Sequence, residues 1–191
     1  MRFNTLFVVL SAVSALAAPI KRSVSTVKAD LADIDFQLTA IDVIVTDKIA
    51  SINHSLQWNY VCTQVYYFDL AAGPLETSVK KVTADIQTTT AFSEDDGKRM
   101  LTSFRELRDV LGHTLPQLAF KAEVVKKLEE RNYIRKHGRI RQDIVNLGTA
   151  FSDFADALVA KFPPNLASQA TPIKENIETR FARVIAAYSQ P

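Results

Sequence analysis

The chain has 191 residues, 23 Lys+Arg against 21 Asp+Glu for a formal charge of +2, 5 glycines and 1 cysteine. So even a balance excludes a nucleic-acid binder built on bulk positive charge. A single cysteine, Cys62, excludes an internal disulfide, and a core must then hold by burial alone.

In chain order, the first element is the apolar run "LFVVLSAVSALAA" behind Arg2. It is too short to span a bilayer and ends in a small-residue site, Ala15–Leu16–Ala17, so residues 1–18 are expected to be a secretory signal peptide. Lys21–Arg22 is a dibasic pair closing a short propeptide, 19–22, and a single domain is expected over 23–191. Residues 1–22 carry three basic residues and no acid, which leaves 20 basic against 21 acidic residues, a net of −1. No later run of about 20 apolar residues follows and no hydrophobic tail closes the chain. The product is therefore expected to be secreted, extracellular or held in a cell wall. Asn53-His54-Ser55 is its N-glycosylation sequon.

The rest reads as all-α, an antiparallel bundle of four to six helices, some long and proline-kinked. Val27, Leu31, Ile34, Leu38, Ile41 and Val45 step by four and three. Val61, Val65, Phe68, Ala72, Leu75, Val79, Val82 and Ile86 keep that rhythm through Gly73–Pro74, as two helices or one kinked helix. Ser93 is a natural N-cap, with Asp96 placed to close a capping box. The stripe from Leu101 through Phe104, Leu107, Leu111, Leu115, Leu118, Val125 and Leu128 is expected to break near Gly112 or Pro116. A fourth helix runs from about Ile140 to Phe162, where "FPP" stops it. The last pattern covers Leu166 to Tyr188, with the helix proper expected to start at Pro172 and Thr171 as its cap.

In "FSDFADALVAKFPPN", 151–165, a helical wheel gathers Phe151, Phe154, Leu158 and Phe162 on one face. Asp153 and Asp156 fall on the other side, as solvated surface rather than a catalytic pair. The chain has no Gly-x-Ser-x-Gly, no phosphate-cradling glycine loop, no His-Glu-x-x-His and no zinc-type spacing. His54, His113 and His137 lie in separate segments. No enzyme, metal or cofactor is expected.

Two features suggest binding. Segment 121–141 is strongly basic, with Arg131, Arg135, Lys136, Arg139 and Arg141 forming a patch suited to acidic glycans or lipid heads, or simply the solvated ends of two helices. Phe36 and Val43 lie opposite the Leu31/Leu38 face, and Leu56, Tyr60 and Tyr67 form a second apolar side on the next helix, with Trp58 near. A helix apolar on two sides is central in a bundle, walls a ligand cavity or offers an adsorbing surface.

Four segments, "AAPIKRSV", "AFSEDDG" at 91–97, "FADALVAKFPPNL" at 154–166 and "IKENIETRFARVIAAYS" at 173–189, resemble the fungal hydrophobic-surface-binding protein A family, related to antigenic cell-wall galactomannoproteins. The resemblance implies a secreted, wall-associated, non-catalytic helical bundle. It also implies two tasks: adsorption to hydrophobic solids in aid of a secreted polyester hydrolase, and enclosure of a fatty acid between helices. The aromatic "LQWNYVCTQVYYFDL" and the basic "ERNYIRKHGRIRQ" depart from the family's pattern. For an apolar cavity the candidate ligand residues are the inward Phe68, Phe104, Ile144, Phe151, Phe154 and Phe181. The competing reading is a secreted effector or wall interaction protein acting through the 121–141 patch.

Overall fold

The computed structural model describes residues 23–49, 58–130 and 139–189, with the side chains of 47–49, 58–65 and 128–129 outside the description. The signal peptide and propeptide, Asn53, His54, Leu56, Arg131, Arg135, Lys136 and His137 lie outside the described residues. So do the side chains of Trp58, Tyr60, Val61, Cys62 and Val65.

Five α-helices account for nearly all of it: α1 (Val24–Val43), α2 (Trp58–Thr88), α3 (Glu94–Glu130), α4 (Arg139–Lys161) and α5 (Pro164–Ser189). The Ser23 hydroxyl accepts the Thr26 amide at 3.3 Å and so caps α1, which passes at its far end into a π-helical stretch, Ile44–Ile49. Ser93 starts α3 as the sequence predicts: its Oγ accepts the Asp96 amide at 3.1 Å and donates to the Asp96 carboxylate at 2.7 Å. Three acids, Glu94, Asp95 and Asp96, sit in that first turn, where the helix dipole favours them.

The prolines do not break the helices where the sequence suggests. α3 runs unbroken past Gly112 and Pro116. A proline leaves the carbonyl four residues earlier without its helical donor, and here that carbonyl belongs to Gly112. Arg180 of α5 supplies the missing donor, Nη1 to the Gly112 oxygen at 3.0 Å. Its guanidinium carbon lies 3.4 Å from where a Gly112 Cβ would stand, an approach the bare glycine leaves open. α5 likewise starts at Pro164, not Pro172. Pro164 fits the first helical position, where a missing N–H costs nothing, and the Leu166 and Ala167 amides both bond the Pro163 oxygen at 2.9 Å. Thr171 is an interior residue with its hydroxyl on the Ala167 carbonyl at 3.0 Å. α2 is one helix through Pro74.

Successive helices run antiparallel, but their packing does not follow chain order. α1 packs on α2 and α3, α2 on α4, α4 on α5 and α5 on α3, which closes a ring α1–α2–α4–α5–α3. Polar bonds fix the directions. Asp33 and Gln37 meet Ser78, and Ser152 meets Glu178, across antiparallel pairs. Arg105 meets Gln169 and Arg180 meets Gly112 across the parallel pair α3/α5.

The apolar stripes fill this ring. Val27, Leu31, Ile34, Leu38 and Ile41 of α1 are buried, as are Ile140, Ile144, Leu147, Phe151, Phe154 and Leu158 of α4. An aromatic file crosses the interior: Phe104 edge-on to Phe154 at 5.9 Å, Phe154 edge-on to Phe151 at 6.4 Å, Phe151 stacked on Phe181 at 5.7 Å. One end of the ring is closed by the α2–α3 link. There the Phe92 amide bonds the Lys161 carbonyl at 2.9 Å, Phe92 meets Phe162 edge-on at 5.7 Å, and Lys161 Nζ reaches the Gln87 and Thr89 carbonyls.

Candidate functional site: an apolar void inside the ring

Toward the other end lies a void of about 20 Å³, lined by residues from all five helices. Leu38 and Ile41 come from α1, Phe68 and Leu75 from α2, and Leu111, Leu115 and Leu118 from α3. Ile144, Leu147 and Phe151 of α4 and Phe181 of α5 complete it. Thr114 also borders it, yet its hydroxyl donates to Asp42 Oδ1 at 2.6 Å and lies 2.9 Å from the Val110 carbonyl. No polar surface opens into the void. Its volume suits one small molecule the size of water, but a water needs two or more polar partners, so a dry cavity is the physical expectation.

All six candidate cavity residues are buried. Phe68, Ile144, Phe151 and Phe181 border the void, whereas Phe104 and Phe154 pack beyond it in the aromatic file. The basic patch is only partly described. Arg139 is engaged through its Nε by Asp69 of α2, and exposed Arg141 donates to Ser189 Oγ at 3.1 Å. Asp156 is not idle: it pairs with Lys174 of α5, and this hydrogen bond holds Lys174 above the ordinary lysine value against its desolvation. Asp153 is exposed.

Beside Phe68 and Ile144 the structure assembles charges that the sequence does not announce. Asp143 stands one turn beyond Arg139, with Oδ2 out of contact with water and accepting no hydrogen bond. Burial pushes its carboxyl up from 3.8 to about 7; a hydrogen bond with Asp69 and that residue's charge add to the shift, Arg139 opposes it, and Glu76 adds a little. The Arg139/Asp143 spacing was the only available signal, and it names no third partner on α2. His113 donates to Asp42 at 3.0 Å beside Thr114, an α1–α3 grouping equally invisible in the sequence. Among the described residues no group of three His, Cys, Asp or Glu is placed to hold a metal, and no helix is long and apolar enough to cross a membrane.

Asp143 gives a pH prediction with a definite sign. A carboxyl with a raised folded-state value binds its proton more tightly folded than unfolded, so it adds stability that is full below about pH 4 and lost as pH rises through about 7. Because the group is only half-buried, solvent screens the effect, and about 1 kcal/mol is expected. Chemical denaturation at pH 5 and pH 8 checks it: Asp143→Asn should flatten the difference, and parallel pH profiles for the two proteins would refute the assignment.

The described residues form an all-α bundle, and solved structures share that fold. AfMP4p, solved in complex with palmitic acid, superposes with a TM-score of 0.72 at 16% identity, over 87% of this chain and 100% of that one. Ligand-binding domain 2 of Penicillium marneffei MP1, complexed with multiple arachidonic acids, gives 0.70 at 13% identity over 90% and 99%. Ligand-binding domain 1 of the same protein, also with arachidonic acids, gives 0.60 at 14% over 88% and 100%. No family model and no curated protein matches the sequence.

Proposed function

We propose that this protein is a secreted, non-enzymatic carrier that encloses a fatty-acid-like chain inside the helical ring. The observation that carries the reading is the apolar void, to which every helix contributes. At about 20 Å³ it is far smaller than the roughly 300 Å³ or more that a site for a small molecule occupies. Uptake therefore requires the helices to part, with the acyl chain replacing contacts between side chains. At about 0.8 kcal/mol per buried methylene, a sixteen-carbon chain gains on the order of 12 kcal/mol, against which opening and association are set. The likeness to domains solved with palmitic and arachidonic acids, and the hydrophobic-surface-binding and galactomannoprotein motifs, support the same reading.

Adsorption to apolar surfaces is a second reading with its own observation. Phe36 and Phe120 are 74% and 76% exposed, and Val43, Tyr66, Tyr67 and Leu70 are also exposed. All six stand within two residues of a void-lining position, so the exposed apolar residues and the void share one end of the ring.

Native mass spectrometry with added palmitic and arachidonic acids tests the proposal. One or more fatty-acid masses should be retained natively and lost on denaturation. Uptake that is insensitive to salt and competed by detergent separates it from ionic capture by the basic patch. A protein that stays bare at saturating fatty acid would sink it.

A further inference from the structure

The outer face between α3 and α5 holds a second cavity, a groove of about 550 Å³ with the opposite chemistry. Arg105 and Arg108 of α3 and Arg180 of α5 line it, with the amides of Gln169 and Asn176 and a single carboxylate, Asp109. Ile173 and Pro172 also border it, Ile173 being buried in the α3/α5 packing.

Three guanidiniums share this groove with one acid, and the acid is already taken: Arg108 Nε and Nη2 both donate to Asp109 Oδ1, at 2.8 and 2.6 Å. Arg105 is steadied by a neutral group, Nη2 to Gln169 Oε1 at 3.0 Å. Arg180 is fixed twice by neutral acceptors, Nε to Asn176 Oδ1 at 2.7 Å and Nη1 to the Gly112 carbonyl. Among the described residues neither Arg105 nor Arg180 has a carboxylate within ion-pair distance. Each is held in orientation and keeps other N–H groups for a guest. Guanidinium forks held in place without charge compensation match the planar, multidentate recognition of oxyanions. Arg105 and Gly112 are separated by about 10 Å along α3 at 1.5 Å per residue, more than one tetrahedral anion spans.

We propose that this groove is a binding site for oxyanions of the sulfate or phosphate type, presented as small ions or as the charged groups of an acidic polysaccharide. The site is separate from the apolar void and does not depend on the fatty-acid reading. Neutral acceptors rather than acids hold Arg105 and Arg180, so their charge is left for the ligand. The groove is long enough for two anionic groups in series.

Calorimetric titration at low ionic strength with sodium sulfate, dextran sulfate and uncharged dextran tests it. Arg105→Gln with Arg108→Gln should weaken anion binding tenfold or more. The double variant Lys28→Gln/Lys80→Gln, which removes the same charge from exposed positions on α1 and α2, should change it less than twofold. Unaltered circular dichroism and melting would show that both variants fold; Arg105 is exposed and Arg108 half-buried, so the bundle should tolerate the change. Loss of both sulfate and dextran sulfate identifies a small-anion site, and loss of dextran sulfate alone a polysaccharide track. The proposal is overturned by equal weakening in the two double variants, by a variant that binds like the parent, or by binding of neither anion to the parent.

Discussion

Replacing Phe154 by alanine is expected to cost about 4 kcal/mol of stability, the largest effect of any single truncation considered for this chain. Phe154 is 1% exposed and joins two rings, Phe104 on α3 and Phe151 on its own helix, both in edge-on geometry. Its removal takes away the apolar burial, two ring contacts and the packing that fixes Phe151 against Phe181. Its two ring neighbours are anchored in different helices, so the site cannot collapse by moving one of them, and the cavity term is retained. For a domain of this size the midpoint of thermal unfolding should fall by roughly 10 °C. Phe36→Ala is the reference, since a side chain 74% exposed should change stability by less than about 0.5 kcal/mol. Urea denaturation of the two variants decides it, and similar losses would show that the aromatic file is not the centre of the core.

The second large effect concerns the ligand. If the interior opens for an acyl chain, fatty acid at a hundredfold excess over its dissociation constant should raise unfolding stability by about 2.7 kcal/mol, because only the folded ring binds it. Thermal scans against palmitic acid concentration should show the midpoint climbing logarithmically by several degrees. Decanoic acid, six methylenes shorter, should need a far higher concentration for the same shift, at about 0.8 kcal/mol per methylene. A midpoint unmoved by either acid, or moved equally by both at equal concentration, would mean that no chain is buried. The half-buried Asp143 beside Phe68 and Ile144 makes pH a variable worth holding constant in these scans.

The buried stripes were legible because burial repeats every three or four residues. Val27 to Ile41 on α1, Val45 in the π-helical stretch that follows, and Phe68 to Ile86 on α2 are buried at the positions the spacing predicts. The long helices were harder. Nothing near Gly112 or Pro116 says that α3 continues, since the donor that replaces the lost helical bond is Arg180, 68 residues away. Pro172 misled for a related reason: a proline on an exposed face leaves a carbonyl that solvent can satisfy, so the helix need not start there. Of the six aromatic and branched residues chosen for the cavity, four border the void and two do not. The periodicity that places all six inward cannot tell a packed contact from the edge of a gap. The Asp69–Arg139–Asp143 group was equally out of reach, because α2 and α4 are neighbours only through the ring order.

That ring order has a consequence for how the chain reaches its native state. A conventional up-and-down bundle is assembled from hairpins, each helix docking on the one just made. Here α2 and α3 are joined by residues 89–93 yet belong to different sides of the ring, and their principal partners, α4 and α5, come later in the chain. A nascent protein lacking α5 leaves the apolar faces of α3 and α4 uncovered together. Native pairing thus waits on distant segments, which raises contact order above that usual for helical proteins and slows folding accordingly. Productive folding is set by the last helix to arrive rather than by the first to form.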